Sequence, residues 1–388
     1  MVKDKDGREV LLTQTGEYFG RIGMMVIDAE TGEITTDFIE CEEILGDDGE
    51  SVVGYRLQSD LYGKAELISD AAVNSMKAEW LASIDEQLGE QIGTAEVVFD
   101  NYDARGNRLV RLQETNSGDL AADALYYLFD DMGLDVDVAV MNGGGVRNQA
   151  ITGGITYKTC KDVHPFGNVA CLQTVTGQQI LDMLEWGARH VGQAENGSFL
   201  LVSGITYKVD DTIPNTTQAS DMDIWLGGPT EYRVYDVKVY DKQTDTWQAL
   251  DLNASYRLAG YNYTLRDLGG GFAMLNGSVN VLDYVMEDYM VLANYIQSFE
   301  DGVVGATNSP LNKKYPAFGI DYANVSGSGR ITVAKKNVSD EGVTDQGNGT
   351  DAGDRRSGCF GAFGGGVTVM MLIIPVFPFV LRNKKEGE

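Results

Sequence analysis

The spacing of apolar residues predicts two kinds of element in the first ninety residues. Between residues 9 and 39, short apolar runs are separated by Thr-Gly turns, which is typical of β-strands. In residues 71–90 the apolar positions instead recur every three or four residues, at Val73, Met76, Trp80, Leu81, Ile84 and Leu88. That period places them on one face of a helix. We expect an amphipathic helix over residues 71–92 that connects two domains.

From residue 93 to residue 335, helical and strand patterns alternate without a strict βαβ rhythm. Helices are predicted over 117–131, over 176–190 and within 278–298, with Ser117 as the N-cap of the first. Strands are predicted over 109–112, 136–141, 198–208, 231–240 and 255–262. The pattern predicts an α/β (α+β) domain, in which helices cover the outer faces of a mixed sheet.

The last fifty residues differ from the rest in composition. Residues 336–358 are rich in Gly, Ser and Asp, which is typical of a flexible linker. Residues 359–388 begin with an uncharged stretch that ends in MMLIIPVFPFVL and is followed by basic residues. This stretch is long enough to span a membrane, although Pro375 and Pro378 also suit a processed sorting tail. Both interpretations predict a protein anchored at the cell surface, yet the N-terminus has no apolar signal segment.

Charge and cysteine spacing exclude some classes of partner. The 388 residues carry a formal net charge of −28, which repels nucleic acid, so no nucleic-acid partner is expected. A small anion can still bind where arginines reverse this field locally. No two of the four cysteines have the spacing of a zinc site. Cys160 and Cys171 are close enough in sequence to form a disulfide, but isolated buried thiols are the expected arrangement.

A glycine-rich segment, Asn142-Gly-Gly-Gly-Val-Arg147, follows the strand predicted over 136–141. Taken alone, such a run is most often a tight turn. Further motifs surround it in a fixed order, namely Glu114-Thr-Asn-Ser-Gly-Asp-Leu, Gly154-Ile-Thr-Tyr, Pro165-Phe-Gly-Asn, Val202-Ser-Gly-Ile and Asn262-Tyr-Thr-Leu-Arg-Asp-Leu-Gly-Gly-Gly-Phe. This series resembles the C-terminal domain of 5'-nucleotidases, a family that also includes UDP-sugar hydrolases and 2',3'-cyclic-nucleotide phosphodiesterases.

The resemblance implies a nucleotide or nucleoside as the ligand. Phe166 and Tyr263 match the family's base-stacking positions, where clamping a base between two rings contributes roughly 1–3 kcal/mol per stacked base. The alternative for both aromatics is a place in the core. Asn142 matches an asparagine whose amide reads a base edge or the ribose. Gly144 lies in the turn that lets its neighbours face one ligand.

Two arginines complete the implied binding site. Arg147 matches a family arginine that contacts the phosphate or ribose, and Arg111 matches a further one. A planar guanidinium grips phosphate oxygens through two parallel hydrogen bonds, which lysine cannot do. The alternative for both is a surface salt bridge. One position departs from the family pattern, because Gly270 stands where an aspartate holds the ribose hydroxyls. Asp267 is the nearest carboxylate that could replace it.

The resemblance also implies two divalent metal ions, which family enzymes hold through histidine-containing motifs in an N-terminal metallophosphatase domain. The only histidines, His164 and His190, lie in the second domain, so residues 1–100 contain none. No cofactor is therefore expected in this chain. Residues 9–28 are similar to the end of the family's metal domain. We accordingly expect residues 1–70 to be a remnant of it in an N-terminally truncated member, with a separate metallophosphatase domain as a possible partner.

Three functions fit these motifs. The first is the nucleotide-binding part of a surface-anchored 5'-nucleotidase-type phosphoester hydrolase, inactive without the metal domain. The second is a non-catalytic cell-surface protein that binds nucleosides or nucleotides. The third is a remnant that neither binds nor hydrolyses nucleotides, and the glycine at position 270 favours this interpretation.

Overall fold

The structure, a computed structural model, describes residues 2–15, 21–66 and 70–336. Seven α-helices occur within these ranges: α1 Ala71–Leu88, α2 Asn116–Asp131, α3 Tyr157–Val163, α4 Gly177–Ala188, α5 Asn262–Leu265, α6 Asp288–Gln297 and α7 Pro310–Lys314. The strands are β1 Val2–Lys3, β2 Glu9–Val10, β3 Arg21–Ile27, β4 Ile34–Leu45, β5 Val52–Ser59, β6 Gly63–Glu66, β7 Gln91–Phe99, β8 Val138–Asn142, β9 Ile151–Thr156, β10 Ala170–Thr176, β11 Leu200–Ser203, β12 Ile205–Val209, β13 Gln218–Ala219, β14 Trp225–Gly227, β15 Val234–Asp241, β16 Thr246–Ala249, β17 Ser255–Tyr261, β18 Val279–Leu282, β19 Val303–Val304 and β20 Ile331–Val333. The predicted α/β class is confirmed.

A five-stranded mixed sheet forms the centre of the second domain, in the order β11-β8-β17-β10-β18. The pair β8 and β17 is parallel, and the other pairs are antiparallel. Because β8 and β17 run the same way, their carboxyl ends lie at one edge of the sheet. The antiparallel neighbours β10 and β11 begin at that same edge. Four separate loops are thereby brought together there.

Helix α2 packs against β8, β11, β17 and α6. Of its sixteen residues, all but Tyr127 and Asp131 are buried, so it is a core helix rather than a surface one. Its N-cap is Thr115, whose hydroxyl accepts a hydrogen bond from the Gly118 amide at 3.1 Å. The prediction of Ser117 as N-cap was wrong by two residues. Both threonine and serine can cap, and the helix begins at the first of them.

Two smaller sheets flank this core. Strands β16-β15-β12-β20 form one, and β19-β7-β9 form the other. The stretch predicted as one strand over 198–208 is two strands, because Gly204 between them has a φ of +73° and turns the chain from one sheet into another. Residues 109–112 form a 3-10 turn over Leu109–Arg111 rather than a strand. Residues 279–282, predicted as helical, form β18.

The region before residue 91 buries little. Strands β3 to β6 form an antiparallel meander whose apolar side chains are largely exposed, among them Ile22, Met25 and Ile27. The predicted helix over 71–92 is present as α1, capped by Asp70, and no residue of it is buried. Its role as a connector between domains stays a prediction.

Two sequence predictions concern cysteines and the membrane. Cys160 and Cys171 are separate buried thiols, as expected, and burial raises the pKa of each to about 12. No helix within the described ranges is both long and apolar enough to cross a membrane. The predicted tail over 359–388, and all but the first residue of the linker predicted over 336–358, lie outside the described residues.

Candidate functional site

A pocket of about 370 Å³ opens at the edge of the central sheet where the four loops meet. It is lined by Arg111, Asn142, Gly144, Gly145, Phe166, Asn168, Gly197, Ser198 and Tyr263. Asn142 ends β8, Tyr263 follows β17, and the segments before β10 and β11 supply the remaining loops. The sheet topology therefore assembles every part of the pocket except Arg111, which comes from the 3-10 turn Leu109–Arg111.

The glycine run after β8 lets three backbone segments approach one another. A side chain at Gly143 would overlap the carbonyl of Val110, so a glycine here allows the turn that carries Arg111 to lie against the end of β8. The Gly144 amide and the Asn142 side-chain amide both donate to the carbonyl of Gly197, at 2.9 and 3.2 Å. These contacts fix the floor of the pocket.

Arg111 brings positive charge to the pocket. Its Nε is buried and has no hydrogen-bond partner among the described residues, so the alternative of a surface salt bridge does not describe it. Burial lowers the pKa of this guanidinium from its usual value, and the nearby charges of Arg108 and Arg147 lower it further. An anion in the pocket would relieve this repulsion between like charges.

Phe166 forms one aromatic wall, in the loop between α3 and β10. Its side chain is 59% exposed, which excludes the alternative of a core residue. The guanidinium carbon of Arg147 lies 5.5 Å from the centre of the Phe166 ring, a cation–π contact. Arg147 also approaches the carbonyl of Gly144 at 3.5 Å. Arg147 does not line the pocket but packs against one of its walls.

Tyr263 forms the second aromatic wall, in the first turn of α5. It is 43% exposed and is therefore not a core residue either. A side chain at Gly269 would overlap the Tyr263 ring, so the tyrosine lies flat against the backbone of that glycine. The ring is supported on one side by the Gly269 backbone.

The structure brings five of the six residues predicted for the site into one pocket: Arg111, Asn142, Gly144, Phe166 and Tyr263. The sixth, Arg147, lies over the Phe166 ring and does not line the pocket. Sequence reasoning did not assign Gly145 and Asn168, although both lie in the motifs quoted above, and it missed altogether Gly197 and Ser198, which precede β11. The antiparallel pairing of Leu200 with Asn142 carries them to the site, and that pairing has no local signal in the sequence.

Comparison with known proteins agrees with this geometry. Residues 91–277 match the family described as 5'-nucleotidase, C-terminal domain. This part of the chain is a 5'-nucleotidase C-terminal domain. The crystal structure of a 5'-nucleotidase precursor from Thermus thermophilus superposes with a TM-score of 0.51 at 25% identity, and covers 87% of this chain and 54% of that one.

Two relatives show the range of proteins that share this domain. The 5'-nucleotidase of Vibrio parahaemolyticus is 25% identical over 286 residues, which are 73% of this chain and 43% of that protein. Cell wall protein Lmo0130 of Listeria monocytogenes is 25% identical over 243 residues, which are 61% of this chain and 28% of that protein. The chain spans less than half the length of the curated relatives it matches.

Gly270, where the family pattern has an aspartate, lies beside the pocket in this 5'-nucleotidase C-terminal domain. Gly270 has a φ of +74°, and a Cβ there would lie 2.8 Å from the hydroxyl of Ser198, a pocket residue. Asp267 does not line the pocket. Its carboxylate accepts from Arg266 Nε at 2.7 Å and from the Asn262 side chain at 2.9 Å. Asp267 is thus engaged elsewhere, and no carboxylate lines the pocket in the described part of the chain.

His164 contacts the backbone of Gly145, one of the residues that line the pocket of the 5'-nucleotidase domain. The side chain is buried, and its Nδ1 lies 3.0 Å from the carbonyl of Gly145, so the ring donates from that nitrogen. Burial lowers the pKa of His164 from its usual value. Over the described ranges, no group of three or more His, Cys, Asp or Glu side chains is arranged to hold a metal ion.

Proposed function

We propose that residues 91–277 bind a nucleotide as the substrate-binding part of a 5'-nucleotidase-type phosphoester hydrolase in nucleotide catabolism. The observation that carries this proposal is the pocket itself, which combines two exposed aromatic side chains with a half-buried guanidinium whose Nε has no hydrogen-bond partner among the described residues. Phe166 and Tyr263 would clamp the base, and Arg111 would bind the phosphate. The amides of Asn142 and Asn168 would read a base edge or the ribose.

The binding chemistry follows from the residue types. Each base–aromatic stack contributes roughly 1–3 kcal/mol and tolerates any base, because every base has a flat face. A hydrogen bond from a charged donor contributes about 1.5–3 kcal/mol. In a chain with a formal charge of −28, a local cluster of arginines is the kind of site that a small anion requires.

We further propose that hydrolysis depends on a metal centre outside this domain, in a separate metallophosphatase domain, and that residues 359–388 anchor the protein at the cell surface. The composition of that tail supports the second point, and one relative is named as a cell wall protein. Cell fractionation tests the anchoring. Recovery of the full chain only in the soluble cytoplasmic fraction would contradict it.

The proposed function is tested by two measurements on the same purified protein. Calorimetric titration with AMP and with adenosine is expected to show saturable binding of both. A phosphate-release assay with AMP and added Mn²⁺ or Zn²⁺ is expected to show no turnover by this chain alone. Absence of any nucleotide binding would overturn the assignment of the pocket. Turnover of AMP would instead overturn the placement of the metal centre outside the chain.

Arg111 is expected to determine the preference for a phosphorylated ligand. Because a guanidinium donates two parallel hydrogen bonds to phosphate, Arg111→Ala should weaken AMP binding by about 10- to 100-fold and leave adenosine binding nearly unchanged. Arg111→Lys should recover only part of the loss. The affinity ratio of AMP to adenosine, measured by calorimetry, is the readout. The exposed Arg105, six residues earlier, supplies the control Arg105→Ala, and an equal fall in adenosine affinity for Arg111→Ala would contradict the role.

A further inference from the structure

The two aromatic walls of the pocket are joined by a pair of hydrogen bonds. The amide of Val169, three residues after Phe166, donates to Oδ1 of Asn262 at 2.7 Å. The amide of Asn262, which directly precedes Tyr263, donates back to the carbonyl of Val169 at 2.9 Å. One residue thus connects the loop that carries Phe166 with the helix that carries Tyr263.

The side chain of Asn262 is itself held in a fixed orientation. Its Nδ2 donates to Asp267 at 2.9 Å, and Arg266 holds that carboxylate through Nε at 2.7 Å and Nη2 at 3.0 Å. Arg266 also reaches Asp283, which tethers this group to the chain beyond β18. Rotation of the Asn262 amide would break bonds on both of its ends.

The loop that carries Phe166 has a second anchor. Asp288, at the start of α6, is buried, and its carboxylate accepts from the Asn168 amide at 2.9 Å. The Asp288 amide donates to the Asn168 carbonyl at 2.8 Å. Residues 168 and 169 are therefore held between α5 and α6, while Phe166 itself projects into solvent.

We propose that Asn262 is a positioning residue, which fixes the spacing of Phe166 and Tyr263 so that the pocket is shaped for a flat base before a ligand binds. This inference rests on the proposed function. Exposed rings on a loop and on a four-residue helix would otherwise sample many separations, and ordering them on binding would cost affinity. Because the hydrogen bonds of Asn262 already order both segments in the folded protein, this cost does not arise when the ligand binds. The residue itself does not line the pocket.

The test compares ligands with and without a base. Asn262→Ala is expected to weaken AMP binding by about five- to tenfold, and to leave binding of ribose 5-phosphate unchanged. Asn308→Ala is the matched control. Asn308 also bridges backbone groups, from Gly305 N at 2.9 Å and to Val303 O at 2.9 Å, and it does not line the pocket. Equal loss for both ligands would show a general structural role and overturn the proposal.

A double-mutant cycle separates positioning from stability. If Asn262 acts by aligning the two rings, then Asn262→Ala should change AMP affinity less than about twofold in a Phe166→Ala background. The same fold loss in both backgrounds would contradict the proposal. If the wild-type chain binds no AMP, the proposed function itself fails. If wild type binds AMP and Asn262→Ala binds it equally well, only the present inference fails.

A measurement on the wild-type chain covers the case in which Asn262→Ala does not fold. Hydrogen exchange of the Val169 amide should be slow without ligand and should change little when AMP is added, since its partner is already in place. Fast exchange without ligand, followed by protection on AMP binding, would show that the ligand orders the walls. That result would overturn the proposal.

Discussion

Replacing both Phe166 and Tyr263 by alanine is expected to weaken AMP binding by about 2–6 kcal/mol, or about thirtyfold at the least. Each ring would supply one face of the base clamp, and each stack contributes roughly 1–3 kcal/mol. Calorimetric titration measures the loss. Either single variant should lose about half of this free energy, because the remaining ring still stacks.

The same double variant should fold as well as the wild type. Phe166 and Tyr263 are 59% and 43% exposed, so less buried apolar surface is lost than at a core position, and the thermal unfolding midpoint is expected to shift only slightly. Tyr62→Ala removes a tyrosine of comparable exposure from the region before residue 91 and should leave AMP affinity unchanged. Undiminished AMP binding by a folded Phe166→Ala, Tyr263→Ala protein would exclude this pocket as the base site.

The order of motifs in the sequence predicted most of this pocket, while periodicity predicted most of the elements around it. Helices α1, α2 and α4 and strand β17 lie close to where the spacing of apolar residues placed them. The stretch over 109–112 was misjudged because Val110 faces the core from a turn rather than from a strand. Val110 is buried there beside the more open Arg111, an alternation that suits either structure.

The parts of the site that sequence reasoning missed depend on long-range pairing. Ser198 reaches the pocket only through the pairing of β11 with β8, whose strands are nearly sixty residues apart in sequence. Arg147 illustrates the converse. Its motif position suggested direct contact with the ligand, whereas its guanidinium lies over the Phe166 ring. The direction in which a side chain points, as for Ser198 and Arg147, does not follow from the spacing of residues along the chain.

A third feature without a sequence signal is the buried ion pair between Arg330 and Asp123. Arg330 precedes β20, more than fifty residues beyond the part of the chain that matches the family. Its Nη1 and Nη2 bind the two carboxylate oxygens of Asp123 at 2.7 and 2.8 Å, and Nη1 also donates to the carbonyl of Val202. Asp123 is fully buried in the middle of α2. The C-terminal strand of the domain is thereby fastened to the core helix.

The surroundings of this pair make it costly to break. The hydroxyl groups of Ser203 and Tyr322 also donate to the Asp123 carboxylate, at 2.5 and 2.6 Å. Asp119, one turn earlier on α2, lies 3.9 Å from Arg330 Nε, and burial raises its pKa well above the usual value and so favours its neutral form. Asp123 is therefore the carboxylate that the guanidinium compensates directly.

Arg330→Ala is expected to lower the free energy of unfolding of the domain by about 3–5 kcal/mol, because the charge of Asp123 would remain buried without compensation. Chemical denaturation measures the change. Lys313→Ala removes the exposed pair with Glu300 and should destabilise the domain far less than Arg330→Ala does. Adding Asp123→Asn to Arg330→Ala should recover part of the loss, since the amide carries no charge to compensate. If Arg330→Ala is no more destabilising than Lys313→Ala, the ion pair does not hold β20 to the core.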